Sequence, residues 1–473
     1  MPNIQENEPA LCIHAHFYQP PREDPLTESI PIEPGATPYN NWNERINDQC
    51  YRPNAELGNF RRISFDLGPT LAMWLEKYDS LTYTRIIDQA RQVYEQYGIS
   101  NAMAQAFNHT ILPLATRLEK QTQIRWGIKD YVHRFGWAPR GMWLPETAVD
   151  LETLELLVEN DIQFTILAPW QVEGKPVHTD LPYEIKLPNG SSIIVFFYNQ
   201  DLSNRVSFDS SATANADTFV KNFVLSKSRK TKQRPDARFL LAASDGEAYG
   251  HHHAFRDKFL AYLTSTSIPN AGIDILYPAK WLREYGVTQE INIKENTSWS
   301  CHHGIKRWSE TCDCTPNGSW KKPLRAAFNT IAESIDEQFI SHLKELHSDP
   351  DHVRDEYIAV ILHSISEDEF IEREFRSISD VEKTCVKKLL RAQYERQRMF
   401  TSCAWFFDDF DRIEPRNNVA YAAAAVWLTE KATGIQFPNE HLALLQNVKS
   451  WRSGLTADLV FNHHKARLVS TAS

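Results

Sequence analysis

The sequence predicts an α/β protein in two parts: a TIM-like parallel βα barrel with its site on one rim, then a mainly helical C-terminal region. Three observations carry this. Short runs of strand-forming residues alternate with segments of helical apolar spacing up to about residue 285. Polar and aromatic residues gather where those runs end, as they do at the C-terminal face of βα barrels. Beyond that point long stretches of helical spacing take over. A chain of 473 residues is too long for one simple core and suits a large barrel with an appended domain. The expected boundaries are 1–285 for the barrel, 286–460 for a helical domain covering one side of the cleft, and 461–473 for a disordered tail.

Taken in order, residues 1–9 are polar and acidic, and read as a frayed leader rather than a secretory segment. Leu11-Cys-Ile-His14-Ala-His16-Phe17 alternates as a first strand and is halted at Gln19-Pro20-Pro21. His14 and His16 therefore share one face. Residues 22–62 are rich in proline without clear periodicity, and so long an irregular stretch reads as a lid or cleft wall. A short strand at 63–67 turns through Gly68-Pro69 into a helix at 71–78. A second helix near 84–97 places Ile86, Ala90, Val93 and Tyr97 on one face and stops at Gly98. Residues 102–109 read as a third strand ending on Asn108-His109. Ile124, Ile128, Tyr131, Val132 and Phe135 mark the helix before Gly141-Met142-Trp143-Leu144-Pro145-Glu146, an apolar strand that stops at a carboxylate. Residues 151–160 are helical, 164–170 and 193–198 are strands, and the last strand, 238–245, ends at Asp245-Gly246-Glu247. In the C-terminal part, Leu324, Phe328, Ile331, Ile335, Phe339 and Leu343 recur at helical spacing. The capping box Ser379-x-x-Glu382 opens a further helix running to about residue 400, and residues 421–428 form a buried one.

Bulk properties exclude several classes of function. With 51 basic against 61 acidic residues, the net charge of −10 argues against a nucleic-acid partner. No apolar run approaches the ~18 residues of a membrane span. Neither a Gly-x-Gly-x-x-Gly nor a Walker lysine loop occurs, so a nucleotide cofactor is not expected. Seven scattered cysteines point to a reduced, cytoplasmic protein. The 13 tryptophans offer flat platforms for the apolar faces of sugar rings, although any one of them is as readily core.

Two strand ends deliver Glu146 and Asp245, and two carboxylates in different surroundings suit glycoside chemistry. Glu146 is the expected nucleophile and Asp245 the acid/base, with carboxyl groups about 5–5.5 Å apart in a retaining enzyme. Each carboxylate serves equally as a helix cap if it has no catalytic role. His14 and His16 have three readings: a divalent metal, substrate hydroxyls, or satisfied core positions. No Asp follows within the motif to complete a metal site. His109 is open in the same way, and one of His251, His252 and His253 is expected to face the cleft. Cys301-His302-His303-Gly304 with Cys312-x-Cys314 is a zinc candidate, but its spacing departs from that of known fingers. With Trp299, Trp308 and Trp320 alongside, it reads instead as a loop closing over the barrel mouth, with Arg307 pairing a cleft carboxylate. No metal or other cofactor is expected.

Four motifs in order resemble those of glycoside hydrolase family 57. They are His14-x-His16-x-x-Gln19-Pro20, Asn108-His109 with Leu112-Pro113-Leu114, Trp143-Leu-Pro-Glu146, and Asp245-Gly-Glu247-x-Tyr249-Gly250. The segments at 298–314 and 400–409 resemble a domain of unknown function often fused to such barrels. The resemblance implies a distorted (β/α)7 barrel followed by helices, and a retaining hydrolase or transglycosylase acting on α-glucan. Amylase, 4-α-glucanotransferase and branching activities all fit, and the family resemblance also implies α-galactosidase activity without choosing among them. It implies Glu146 and Asp245 as catalytic residues. His14, His16, Gln19, His109, Trp143, Trp170, Glu247, His302 and Trp308 are the expected substrate contacts. Two rivals remain: a metal-dependent polysaccharide deacetylase or phosphoesterase, and a catalytically silent glucan-binding barrel.

Overall fold

The computed structural model describes residues 10–227, 239–287 and 289–471; the expected leader at 1–9 lies outside these, as do residue 238 and the last two positions of the expected tail. The chain forms two compact units interleaved in sequence. One contains Met1–Gln19, Ile32–Phe107 and Tyr131–Trp299; the other contains Pro20–Pro31, Asn108–Asp130 and Ser300–Ser473. The sequence reading expected a single cut near residue 285. Two short early segments join the second unit, a long-range preference that local pattern does not carry.

The first unit holds nine strands among the described residues: β1 (Ala10–Phe17), β2 (Ser64–Leu67), β3 (Ala102–Gln105), β4 (Met142–Trp143), β5 (Phe164–Leu167), β6 (Pro182–Lys186), β7 (Ser192–Phe197), β8 (Phe239–Asp245) and β9 (Asp274–Ile275). Parallel pairing runs β4-β3-β2-β1-β8, and separately β5 pairs parallel with β7. Two joints close this into a seven-stranded barrel. The first is a parallel bridge between Gly141 and Phe164, where a Cβ on Gly141 would lie 2.4 Å from the Phe164 ring, so only glycine fits. The second is weaker: Asn199 N donates to Leu241 O at 2.6 Å, and Ser203 Oγ accepts from Ala243 N at 3.0 Å in place of a ladder partner. That gap is the distortion of the barrel. Its strands are buried almost throughout, as parallel strands covered on both faces must be.

Most expected elements are present, with shorter strands at 102–105 and 164–167 than the sequence suggested. β6, which pairs antiparallel with β7, was not foreseen. Nor was the helical stretch through Trp42–Ile46, Asn47–Tyr51 and Arg52–Glu56 within the segment read as irregular. Its buried face includes Asn43, Asn47 and Asn54 beside Ile46, Cys50 and Tyr51, so the helical period is present but partly written in amides. Asn54 shows why: its amide donates to Cys50 O and to Tyr249 O, both at 2.8 Å.

The second unit is helical. Lys321–Glu345, Asp380–Arg398 and Ile413–Thr433 are its long members, and the Ser379/Glu382 capping box is formed. Arg396, buried, binds Asp336 and Glu119. Ala457–Thr471 is a helix, which corrects the expectation of a disordered tail from 461. Ala457, Val460, Phe461 and Leu468 are buried at helical spacing along it. No described helix is long and apolar enough to cross a membrane.

Candidate active site

Asp66 organises the floor of the site. It is fully buried on β2, in register with His16 on β1, and its two oxygens take His14 Nε2 at 3.1 Å and His16 Nδ1 at 2.8 Å. A buried carboxylate needs such partners. His14 Nδ1 meets Ser64 Oγ at 3.0 Å. Burial lowers the His14 pKa, so the neutral ring donates to Asp66 and accepts the Ser64 hydroxyl. Both His14 nitrogens are thus committed inside the fold, which leaves none for a metal or a sugar. His16 behaves oppositely: burial alone would lower it, but Asp66, Asp245 and Glu247 push it up to about 9. The imidazolium in turn holds Asp66 below its ordinary range in spite of burial.

Trp143 lies on these rings. It stacks on His14 (centroids 4.8 Å apart) and on His16 (5.1 Å), and is wholly buried. The expectation that it forms a sugar platform is corrected: it is wholly buried, stacked on the two imidazoles with the Trp299 ring edge-on to it. The half-buried Trp299 meets Trp143 edge-on at 5.0 Å and lies 6.3 Å from both His16 and Tyr198. Trp170, also half-buried, packs edge-on against Tyr198 and donates from Nε1 to Ser298 O at 3.0 Å.

Glu146 leaves β4 through a tight turn, Pro145–Thr147, in the left-handed region (φ +58°), followed by Thr147 at φ +49°. Such backbone costs of order 1–3 kcal/mol per residue and persists only where surroundings impose it. Here Trp299 does so twice, donating from its backbone N to Glu146 O at 3.0 Å and from Nε1 to Glu146 Oε2 at 2.9 Å. Gln171 adds bonds to the Thr147 hydroxyl and carbonyl at 2.9 and 2.8 Å.

Asp245 ends β8 in register with His16 and is exposed at the rim. Its charge acts on His16, Glu247, Tyr198 and His252. Behind it Glu247 is buried; Oε1 accepts Tyr51 OH at 2.6 Å and Tyr18 N at 3.3 Å, and Gln19 Nε2 donates to Tyr51 OH at 3.0 Å. Burial, and then the Asp245 carboxylate, raise Glu247 to about 7. Gln19 and Glu247, expected on substrate, thus brace one another through Tyr51. The two motif glycines are required by space. A Cβ on Gly246 would lie 2.2 Å from Phe17, and one on Gly250 (φ +147°) would lie 2.2 Å from Gln49 O. Of the three histidines, His251 Nδ1 meets Gln49 Oε1 at 2.7 Å and His253 Nε2 donates to Ser207 O at 3.0 Å. His252, exposed and within reach of Asp245's field, is the one that faces outward.

His109, His302 and Trp308 belong to the second unit. His109 Nδ1 meets Ser402 Oγ at 2.6 Å, and His302 is exposed. Trp308 is fully buried with its carbonyl held by Arg325, so the expected substrate face does not exist. Arg307, expected on a cleft carboxylate, donates from Nη2 to Cys314 O at 3.4 Å. Sequence reasoning missed Asp66, Tyr51 and Gln105, and placed Trp299 beside a closing loop without foreseeing its bonds to Glu146. Gln105 is buried at the end of β3 beside Trp143, and its amide finds no hydrogen-bond partner among the described residues. The available signal was a polar side chain inside a short buried strand, Ser-Phe-Asp-Leu or Ala-Met-Ala-Gln, where nothing but function or pairing retains it.

Residues 21–294 match Glycosyl hydrolase family 57, and residues 317–462 match Domain of unknown function (DUF3536). No curated protein matches the sequence. Among solved structures, an exo-type maltose-forming amylase from Pyrococcus sp. ST04 is similar with a TM-score of 0.73 at 16% identity, covering 96% of this chain and 88% of that one. A branching enzyme from Thermococcus kodakaraensis gives 0.64 at 16%, covering 94% and 96%. A 4-alpha-glucanotransferase from Thermococcus litoralis gives 0.58 at 14%, covering 90% and 60%. At these identities the likeness is one of fold.

Proposed function

The chain belongs to glycosyl hydrolase family 57, the match spanning more than half of it, and from that premise we propose that it is a retaining enzyme cleaving or transferring α-glucosidic bonds of an α-glucan. The substrate class is suggested by the activities of the amylase, branching enzyme and glucanotransferase that share its fold. The observation that carries the mechanism is the contrast between two carboxylates around one histidine–tryptophan cluster. Glu146 is half-buried and fixed by the Trp299 indole, whereas Asp245 is exposed beside His16.

In the first step a Glu146 oxygen attacks the anomeric carbon as the glycosidic C–O bond breaks, and Asp245 gives its proton to the departing oxygen. In the second, Asp245 takes a proton from water or a sugar hydroxyl, whose oxygen attacks that carbon and releases Glu146. The Trp299 N–H aims the nucleophile, and the His16 cation offsets negative charge at the rim. Trp170 is proposed to border a sugar subsite, and Gln105 to meet a hydroxyl. A reducing compartment suits the seven cysteines, none of which is in a disulfide.

Incubating the full chain with maltooligosaccharides and resolving the products tests this. Shorter, redistributed or branched chains separate hydrolysis, disproportionation and branching, and the first product should keep the α-anomer. Glu146→Gln should lose at least about a thousandfold in turnover while folding normally. Full turnover by that variant would end the assignment.

A further inference from the structure

A second constellation lies in the stretch between the two family matches, residues 295–316, and belongs to neither. Two tight turns each offer a pair of ligands one residue apart. Cys301-x-His303 is closed by Gly304 N donating to Cys301 O at 3.2 Å, with Gly304 at φ +81°. Cys312-x-Cys314 is closed by Thr315 N donating to Cys312 O at 2.9 Å. The turns bring three sulfurs and one imidazole nitrogen within 4.8 Å of one another. Cys301 Sγ and Cys312 Sγ are 3.5 Å apart, and His303 Nδ1 is 3.2 Å from Cys312 Sγ and 3.4 Å from Cys314 Sγ.

We propose that Cys301, His303, Cys312 and Cys314 bind one structural Zn²⁺. Tetrahedral coordination with Zn–S near 2.3 Å and Zn–N near 2.0 Å sets edges of about 3.8 Å between sulfurs and about 3.6 Å from sulfur to nitrogen. The Cys301–Cys312, His303–Cys312 and His303–Cys314 separations fall within a few tenths of that, and every pair lies within 4.8 Å. One disulfide would consume only two of the three thiols, and the Cys301–Cys312 separation of 3.5 Å is far from the ~2.05 Å of a bond. The donor set of three thiolates and a neutral imidazole favours zinc over harder divalent ions. All four positions come from the protein, so the site is closed and has a structural role rather than a hydrolytic one.

Charge gives independent support. Zn²⁺ with three thiolates and one neutral imidazole carries a net −1. Lys321, at the start of the helix Lys321–Glu345, is fully buried, and its Nζ finds no hydrogen-bond partner among the described residues. The thiols of Cys301, Cys312 and Cys314 are near enough to act on its charge. A buried ammonium with the Trp320 ring over it, 5.7 Å to the centroid, is costly, and an anionic metal centre beside it supplies the opposite charge. The segment also lacks other regular support: between residues 300 and 320 it holds only the short turns Lys306–Trp308 and Gly318–Trp320, yet Trp308 and Trp320 are buried. A metal staple lets so irregular a stretch keep two tryptophans packed.

The test is metal content and thiol count of the full chain, purified without chelator and then dialysed against Zn²⁺. About one zinc per chain is expected, released stoichiometrically by an organomercurial. Cys312→Ala and Cys314→Ser should each lose it, while Cys403→Ser should retain it. Should the ligand variants fail to fold, the chelator-treated wild type titrated with Co²⁺ decides. Intense visible absorption of tetrahedral thiolate-bound cobalt, displaced by Zn²⁺, supports the site. A wild type that takes up neither ion with its thiols reduced, or a Cys301–Cys312 disulfide in the purified chain, would overturn it.

Discussion

Glu146 and His16 are each held in a state they would not adopt alone. Glu146 sits in left-handed backbone, imposed by Trp299 and the Gln171 bracket around Thr147, and that turn presents the carboxylate at the strand end. His16 is buried yet raised to about 9 from an ordinary 6.5, because Asp66 and two further carboxylates surround it. A raised folded-state pKa adds stability that is full below the unfolded value and is lost as pH rises through the folded one. Glu247, raised to about 7 from 4.5, acts in the same direction. The melting temperature should therefore fall as pH climbs from about 6 toward 9. In NMR titrations the His16 ring should stay protonated well past neutrality, and Asp66→Asn should bring its midpoint down. A His16 midpoint at or below 6.5 in the unaltered protein would contradict the ion pair. The delivery of Glu146 at a strand end was legible in the sequence, but the ion pair was not: His14 and His16 left a metal, a sugar and a satisfied core position open, and their partner lay on another strand in an inconspicuous Ser-Phe-Asp-Leu.

At the scale of elements, legibility followed hydrophobic pattern. β1, β5, β7 and β8 are dense in Ile, Val, Leu, Phe and Ala, and they stand close to where the sequence placed them. The helix at 42–56 was missed because amides hold several of its buried positions, and β6 because it is a short antiparallel appendage. The glycines of the Asp245 segment were visible, but their reason was not. Gly246 faces the Phe17 ring, which is fully buried and cannot yield. Gly246→Ala should destabilise by about 1–3 kcal/mol through overpacking, read as a lower denaturation midpoint at unchanged m-value. An unchanged midpoint would mean that the β8 exit is looser than its packing indicates.

At the scale of the molecule, the motif order announced the family and the texture of the chain announced two parts, while the interleaving of early segments into the second unit stayed hidden. Residues 108–130 lie between barrel segments in the chain, yet their partners come from far downstream. Glu119 binds Arg396, Thr122 and Arg125 bind Asp355, Gln123 binds Gln397, and Trp126 Nε1 donates to Arg354 O. A fragment ending at residue 285 would strand those groups and also lack Trp299. It should aggregate or elute as soluble oligomers in size-exclusion chromatography. A soluble, fully active 1–285 fragment would contradict this. His109, His302 and Trp308 show the same limit, since a motif names residues without saying which unit they join or whether they are exposed.

The most direct test of the central claim is to trap the glycosyl-enzyme. A 5-fluoro-α-glucosyl fluoride, reacted with the Asp245→Ala variant and followed by peptide mass mapping, should add one fluoroglucosyl group to the peptide containing Glu146. An adduct on a different carboxylate, or continued turnover with no adduct on any peptide, would contradict the account.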